Sequence, residues 1–153
     1  MVDALSRACR WVAPPHGRVI DMRPADTHPH VELGLADGSV LRVGGLVVEE
    51  ERRLRHAAAD RALRTVIDDG LVRVQAEQVF DFYRYPDSAD ELRDYIATKW
   101  QYSRMDEPTQ ARASAMLSEH HGSRLWLREL VGIRVLIPLQ GPERKGRQGR
   151  RGS

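Results

Sequence analysis

Apolar and polar positions recur along the chain with two different periods, one typical of helices and one typical of strands. Helical spacing predicts four helices, at residues 3–12, 49–69, 87–102 and 108–121. Alternating or mainly apolar runs predict strands at residues 18–22, 31–35, 39–43, 71–85 and 125–138. Helices and strands are interleaved, so the pattern predicts an α/β fold.

Several element ends have their own sequence signals. Acidic residues 49–51 open the longest predicted helix, where they complement the helix dipole, and Gly70 follows its end. Ser88 and Glu91 have the spacing of a capping box at the start of the next helix. Asp37-Gly38 lies between two alternating runs and predicts a hairpin with a type I′ turn, in which both central residues need positive φ. We expect this small hairpin to extend outward from the main sheet.

The first part of the chain has the order helix, Pro/Gly turn and short apolar strand that forms half of a βαβ unit. The strand ends at Asp21, and Arg23 follows it. Ligands of α/β sheets bind outside the carboxyl ends of parallel strands, so both residues are candidates for a substrate pocket. The structural alternative is that Asp21 bonds to backbone and Arg23 pairs with an acid.

The run from Arg10 to Asp21, Arg-Trp-Val-Ala-Pro-Pro-His-Gly-Arg-Val-Ile-Asp, resembles class I S-adenosylmethionine-dependent methyltransferases. In many of them a helix leads into an arginine–leucine–arginine–proline–glycine–glycine turn and an apolar strand that ends in aspartate. His16 stands here in place of the first glycine. Residues 79–96 and 125–138 resemble a late strand with its helix and the closing strand of that fold. The resemblance covers about residues 3–138 and points to the C-terminal, substrate-side half of such an enzyme.

This resemblance implies a partial Rossmann-like sheet, with strand 18–22 as its parallel-type strand and strands 71–85 and 125–138 as a late antiparallel pair. The hairpin and the covering helices complete the expected fold. It also implies an acceptor-substrate pocket bordered by Asp21 and Arg23. Aromatic side chains that could line the pocket or a lid are Tyr83, Tyr85, Tyr95, Trp100 and Tyr102, although core or interface positions are the alternative for them. No catalytic residue is assigned.

In the resembling family the methyl donor binds a glycine-rich loop after the first strand and an acidic residue after the second strand. This chain has neither feature, so we expect no cofactor on the isolated chain and S-adenosylmethionine only when a complementing half or partner is present. The protein would then be a methyltransferase-like half that is inactive alone. Two other hypotheses are a non-catalytic binding or dimerisation module and a small acid–base enzyme with an unrelated pocket.

Chain length and the distribution of charge predict one domain followed by a basic tail. The 153 residues suit a single domain, predicted at residues 1–140. Residues 141–153 carry five cations against one acid and no apolar side chain, which predicts a disordered basic tail. The tail has no aromatic side chain on which a base could stack, so nucleic acid is not the expected partner. A small-molecule acceptor fits the resemblance better.

Cysteine usage and hydropathy indicate a cytoplasmic protein that does not enter a membrane. Cys9 is the single cysteine and is expected to be buried. His28 and His30 could supply two metal ligands, but a solvent-exposed loop is the favoured interpretation and no metal site is predicted. The adjacent pair His120-His121 is expected to end a helix.

The strand at residues 18–22 lacks the parallel neighbours that it would have in a complete methyltransferase sheet. Its unpaired backbone groups form an edge of the kind that recruits another chain. We therefore expect either a homodimer or a complex with a donor-binding partner chain.

Overall fold

The computed structural model describes residues 2–12, 17–26 and 28–139. Within these ranges the chain forms four helices and seven strands. The helices are α1 (Val2–Trp11), α2 (Glu50–Asp68), α3 (Ala89–Lys99) and α4 (Glu107–Glu119). The strands are β1 (Val19–Pro24), β2 (His30–Gly34), β3 (Val40–Gly45), β4 (Val47–Val48), β5 (Val72–Arg84), β6 (Ser103–Arg104) and β7 (Arg124–Pro138). The fold is mixed α/β, as the alternating periods predict.

The long strand β7 organises the sheet. One of its edges pairs with β5 over residues 127–138. Its other edge pairs with β2 over residues 124–128 and then with β1 over residues 131–136, so β1 and β2 lie end to end. β3 pairs with the outer edge of β2, and β4 forms a separate two-stranded ribbon with β6.

The topology corrects two predictions about the sheet. The last two predicted strands are antiparallel, as expected, but every pairing among the described strands is antiparallel and no Rossmann-like parallel arrangement is present. The hairpin β2–β3 does not extend outward, because β2 pairs directly with β7. β7 has 15 residues and therefore spans about 50 Å, which is long enough to pair with two short strands in succession.

Two hydrophobic clusters lie on opposite faces and opposite ends of β7, because side chains alternate along a strand. Leu125 and Leu127 face the first cluster, which α3 and α4 cover, and Leu136 faces the second, which α1 and α2 cover. The first cluster also contains Val31, Leu33, Val43, Leu46, Ala89, Leu92, Ile96, Met105 and Ala113. The second contains Cys9, Leu63, Val66 and Val72, so Cys9 is buried as predicted.

The predicted end signals act locally. The backbone N–H of Glu91 donates to Ser88 Oγ, and the Glu91 carboxylate accepts from the N–H of Asp87, one residue earlier than in a standard capping box. Gly70 has φ +67° after α2. The hairpin turn is not type I′, because Gly38 has positive φ and Asp37 does not. Its hydrogen bonds instead match a three-residue loop with glycine in the left-handed position.

Two expectations concern other regions of the molecule. The tail predicted at residues 141–153 lies outside the described residues. Among the helices that the structure describes, none has the length and apolar character to cross a membrane.

Candidate functional site

A cavity of about 340 Å³ opens where the start of α2 meets the end of α3 and the middle of β7. It is called the Arg52–Tyr102 cavity below. Its walls carry basic, aromatic and acidic side chains from segments that are distant in sequence. The lining residues are Pro24, Arg52, Arg55, His56, Lys99, Trp100, Gln101, Tyr102 and Glu129.

A buried ion pair forms the floor of this cavity. Arg52 Nη2 donates to Glu129 Oε1 at 2.7 Å, and Arg52 Nη1 donates to Ser103 Oγ at 2.6 Å. The guanidinium also lies over the Trp100 ring, 4.8 Å from its centre. Burial raises the pKa of the Glu129 carboxyl, and Arg52 opposes this shift. Arg52 is thus held in place by an anion, a hydroxyl and an aromatic face together.

A second basic side chain stands at the rim. Arg55 Nη2 donates to Tyr102 Oη at 2.8 Å, and its guanidinium lies 4.7 Å from the centre of the Tyr102 ring. Arg55 Nε also pairs with Glu51 at 2.9 Å, one helical turn earlier. The Arg55 side chain remains more than half exposed, at 58%. Its charge therefore remains accessible to a molecule that enters the cavity.

His56 lines the same wall one residue further along α2. Burial lowers the pKa of its imidazole, and the positive charge of Arg52 lowers it further. Asp60 acts in the opposite direction, and Arg23 adds to the lowering. Because the ordinary pKa of histidine is about 6.5, the lowered pKa favours the neutral imidazole at pH 7.

The charges that line the cavity do not balance. Arg52, Arg55 and Lys99 carry three positive charges, and Glu129 carries one negative charge. Guanidinium groups bind carboxylates and phosphates by paired hydrogen bonds, and the rings of Trp100 and Tyr102 offer flat apolar surface beside them. The arrangement favours a small anion with a planar or apolar portion.

Of the residues predicted from sequence, Trp100 and Tyr102 lie in this cavity. Arg23 lies beside it, in a smaller cavity of about 160 Å³ that also contacts His56. Arg23 Nε bonds to Asp21 at 3.1 Å and its Nη1 pairs with Asp60 at 3.0 Å. Asp21 also accepts from Arg134 at 3.2 Å. Both predicted residues thus belong to an ion-pair network on the sheet. Arg23 pairs with acids, as the structural alternative to a pocket role predicts. Asp21 bonds to arginine side chains rather than to the backbone group expected in that alternative.

Tyr83 and Tyr85 do not line the cavity. Their rings pack edge-on against Trp126, with centres 5.9 Å and 5.8 Å from its own. Trp126 Nε1 donates to Glu32 at 2.9 Å, which anchors this aromatic cluster on the sheet. Antiparallel pairing of β5 with β7 brings the tyrosines to this position. The structure therefore separates them from Trp100.

Sequence reasoning missed three main residues of the cavity, Arg52, Arg55 and Glu129. The two arginines lie three positions apart on α2, which places them on neighbouring parts of one helix face. That spacing is common on solvated helices and is therefore a weak signal. Glu129 lies 77 residues from Arg52, and no local pattern links the two.

The histidine loop does not form a metal site in the described structure. His28 and His30 line a cavity of about 100 Å³ with Asp26, Asp81 and Arg128. Arg42 Nη2 lies 2.9 Å from His30 Nδ1. Burial, followed by the charge of Arg42, lowers the pKa of His30. Residues 2–12, 17–26 and 28–139 contain no group of three or more histidine, cysteine or acidic side chains placed to hold a metal ion.

Comparison of the chain with known protein families, curated proteins and solved structures finds no match. The candidate function therefore rests on the geometry and charge of the Arg52–Tyr102 cavity.

Proposed function

We propose that this protein is a binding module that takes a small organic anion into the Arg52–Tyr102 cavity. The observation that carries the proposal is the excess of positive charge among the lining side chains, which Glu51 at the rim offsets only in part, beside two aromatic rings. A volume of about 340 Å³ lies within the range of small-molecule sites. The anion would carry a carboxylate or a phosphate.

Two basic side chains at the mouth of the cavity are exposed to an entering anion. Lys99 is exposed, and Arg55 is exposed although it also contacts Glu51 and Tyr102, whereas Arg52 is buried against Glu129. Arg52 therefore contributes fixed positive charge, and Arg55 and Lys99 make the direct contacts. The Trp100 and Tyr102 rings pack against the planar part of the ligand, and His56 forms part of the adjoining wall.

Calorimetric titration tests this proposal with phenyl phosphate and benzoate as probes and neutral benzyl alcohol as the control ligand. We expect the two anions to bind and the alcohol not to bind. The variant Arg55→Gln should weaken binding about tenfold, which corresponds to about 1.4 kcal/mol. Arg61→Gln removes the same charge from an exposed position of α2 that does not line the cavity, and should leave binding unchanged. Equal binding of the alcohol, or equal loss in both variants, would contradict the proposal.

A second candidate is the substrate-side half of a methyltransferase that is inactive alone. It is supported by the antiparallel pairing of β5 with β7, which is the late strand pair that the resemblance implies. In this hypothesis the cavity holds the methyl acceptor, and a partner chain on the free edge of β1 supplies the donor site. We expect the isolated chain to bind S-adenosylmethionine with a dissociation constant no tighter than about 10 µM, or about −7 kcal/mol, in calorimetry. Tighter binding would show that the donor site lies in this chain.

A further inference from the structure

One face of the sheet formed by β1, β7 and β5 is apolar and open. The register places Ile20 opposite Val135, Met22 opposite Ile133 and Phe80 opposite Val131, and paired residues of antiparallel strands point to the same face. Phe82 follows on the same side of β5. The open sheet face is defined by Ile20, Met22, Phe80, Phe82, Val131, Ile133 and Val135. It lies on the side opposite to Val19 and Leu136, which contact the cluster beneath α1 and α2.

Large side chains on this face are exposed to an unusual degree. Ile20 is 54% exposed, Met22 63%, Phe82 50% and Phe80 36%. The neighbouring part of the same face is covered by α3, where the Arg84 guanidinium lies 3.6 Å from the centre of the Tyr95 ring. Helix α3 covers the face as far as Arg84 of β5. The open sheet face begins two residues earlier in β5, at Phe82.

The centre of the open sheet face carries no charge among the described residues. Gln78 on β5 lies opposite Ile133 and is an uncharged polar residue within this surface, and Arg73, Arg84 and Glu129 stand at its margins. Glu129 is already neutralised by Arg52. A contiguous apolar surface with charge confined to the margin is typical of a protein–protein interface core.

We propose that a second copy of this chain covers the open sheet face, so that two sheets pack face to face. The four most exposed residues offer roughly 400 Å² of apolar surface, taking about 200 Å² for a fully exposed side chain of this size. Apolar area is about 65% of a homodimer interface, so this patch corresponds to about 600 Å² per copy. A standard stable interface needs about 800 Å² per partner. The patch therefore supplies about three quarters of a standard interface, which suits a weak homodimer whose population depends on concentration.

The geometry favours face packing over pairing along the β1 edge. The N–H of Ala25 donates to the carbonyl of Leu130, and this bond sets the phase of the β1–β7 ladder. The backbone groups of Ile20 and Met22 then point away from β7 and form a free edge. An antiparallel dimer along this edge would place both open faces on the same side of one wider sheet and leave them exposed. Two copies of a sheet have the same twist, and so can pack face to face about 10 Å apart with the strands within about 30°.

Sedimentation velocity on the full chain between about 1 and 100 µM tests the proposal. We expect a concentration-dependent dimer. The variant Phe82→Glu should weaken dimerisation at least tenfold, because it removes apolar area from the open sheet face and places a second carboxylate opposite Glu129. Val40→Glu is the matched control, since Val40 is also 50% exposed but lies on β3, away from the open sheet face.

Each outcome decides the question. A wild-type chain that stays monomeric across this range would overturn the proposal. Phe82 lies on β5, two strands away from the free edge of β1, so a dimer that persists undiminished in Phe82→Glu would place the interface away from the open sheet face and overturn the proposal. Circular dichroism establishes that each variant is folded. If Phe82→Glu does not fold, the uncharged variant Phe82→Ser replaces it in the test. This variant removes the same apolar surface and should also weaken dimerisation.

Discussion

Tyr102 has a backbone conformation that residues with a side chain rarely adopt. Its φ is +66°, and it is the non-glycine residue with positive φ in the part of the chain that the structure describes. This conformation costs about 1–2 kcal/mol for a residue with a Cβ atom. The N–H of Glu49 donates to the Tyr102 carbonyl at 2.9 Å and Arg55 holds its hydroxyl, so neighbouring groups maintain the strain. The strained residue forms a wall of the candidate site, which is where such strain tends to occur.

Two substitutions of Tyr102 separate the strain from the ring contacts. Tyr102→Ala removes the ring and retains the strain, whereas Tyr102→Gly removes both. We expect the free energy of unfolding of the glycine variant to exceed that of the alanine variant by about 0.5–1 kcal/mol. The reason is that the relief of strain in the folded state outweighs the added flexibility of the unfolded chain. Urea titration measures the difference. An alanine variant of equal or greater stability would show that this backbone conformation carries no strain.

His56 makes stability depend on pH near neutrality. The folded protein lowers the pKa of His56, chiefly through burial, so the unfolded chain takes up a proton first as the pH falls. The contribution of His56 to stability is therefore complete above the unfolded pKa of about 6.5, and is lost as the pH falls through 6.5 toward the folded pKa. We expect thermal unfolding of His56→Gln to be less sensitive to pH between 7.5 and 5.5 than that of the wild type.

The control for this experiment is His121→Gln, since His121 is exposed just after α4. The unfolding temperature of this control variant should change with pH as that of the wild type does. A His56→Gln curve that matches the wild type at every pH would contradict the prediction.

The raised pKa of Glu129 affects stability in the opposite direction, because a carboxyl that protonates more readily in the folded state adds stability as the pH falls.

At the scale of elements, the start of α2 is attached to β7 by polar contacts. The Arg52 and Glu129 side chains are only 10% and 12% exposed, so their pairing is shielded from water. Ser103 of β6 completes the contact, and thereby joins three elements at the floor of the cavity. Removing one partner of a buried pair leaves the other charge without compensation, which is more damaging than losing an exposed pair.

We expect Glu129→Ala to lower the free energy of unfolding by about 3 kcal/mol or more, because Arg52 is then buried without an anion. Glu129→Gln should lose less, since its amide oxygen can still accept a hydrogen bond. Glu77→Ala is the matched control on the adjacent strand β5, where the partly exposed pair with Arg134 should contribute no more than about 1 kcal/mol. Denaturant titration compares the three. Similar losses for Glu129→Ala and Glu77→Ala would mean that the buried pair does not fasten α2.

For the molecule as a whole, β7 is the strand on which both hydrophobic clusters depend. It pairs with β5 on one edge and with β1 and β2 on the other, while β1, β3 and β5 lie at the margins of the sheet. The two clusters lie on opposite faces, so a disturbance of β7 reaches both of them. Edge strands with one pairing partner open at lower free energy than a strand that is paired on both sides.

Native-state hydrogen exchange should show this order directly. We expect amides of β7 to exchange most slowly, at rates near the limit set by global unfolding, and amides of β3 to exchange faster through local opening. Peptide-level mass spectrometry resolves the two strands. Equal exchange in β3 and β7 would indicate that the sheet opens as a single unit.

Features that depend on near neighbours were predictable from the sequence. The four helices and the five longer strands lie within a few residues of the positions that apolar spacing predicts. Ser88, Glu91 and Gly70 act at helix ends as expected, because capping involves groups a few residues apart. Even the error in the hairpin is local: the loop lies where Asp37-Gly38 predicts it, and the turn type differs because only Gly38 takes positive φ.

Only the tertiary structure decided how these elements combine. An alternating strand has the same pattern whether its partner is parallel or antiparallel, so the sequence of β1 could not reveal its antiparallel pairing with β7. That pairing places Asp21 and Arg23 in an ion-pair network, and the pairing of β5 with β7 takes Tyr83 and Tyr85 to Trp126. The cavity is created by the meeting of Arg52 with Glu129, 77 residues away, and no local periodicity encodes a contact over that distance.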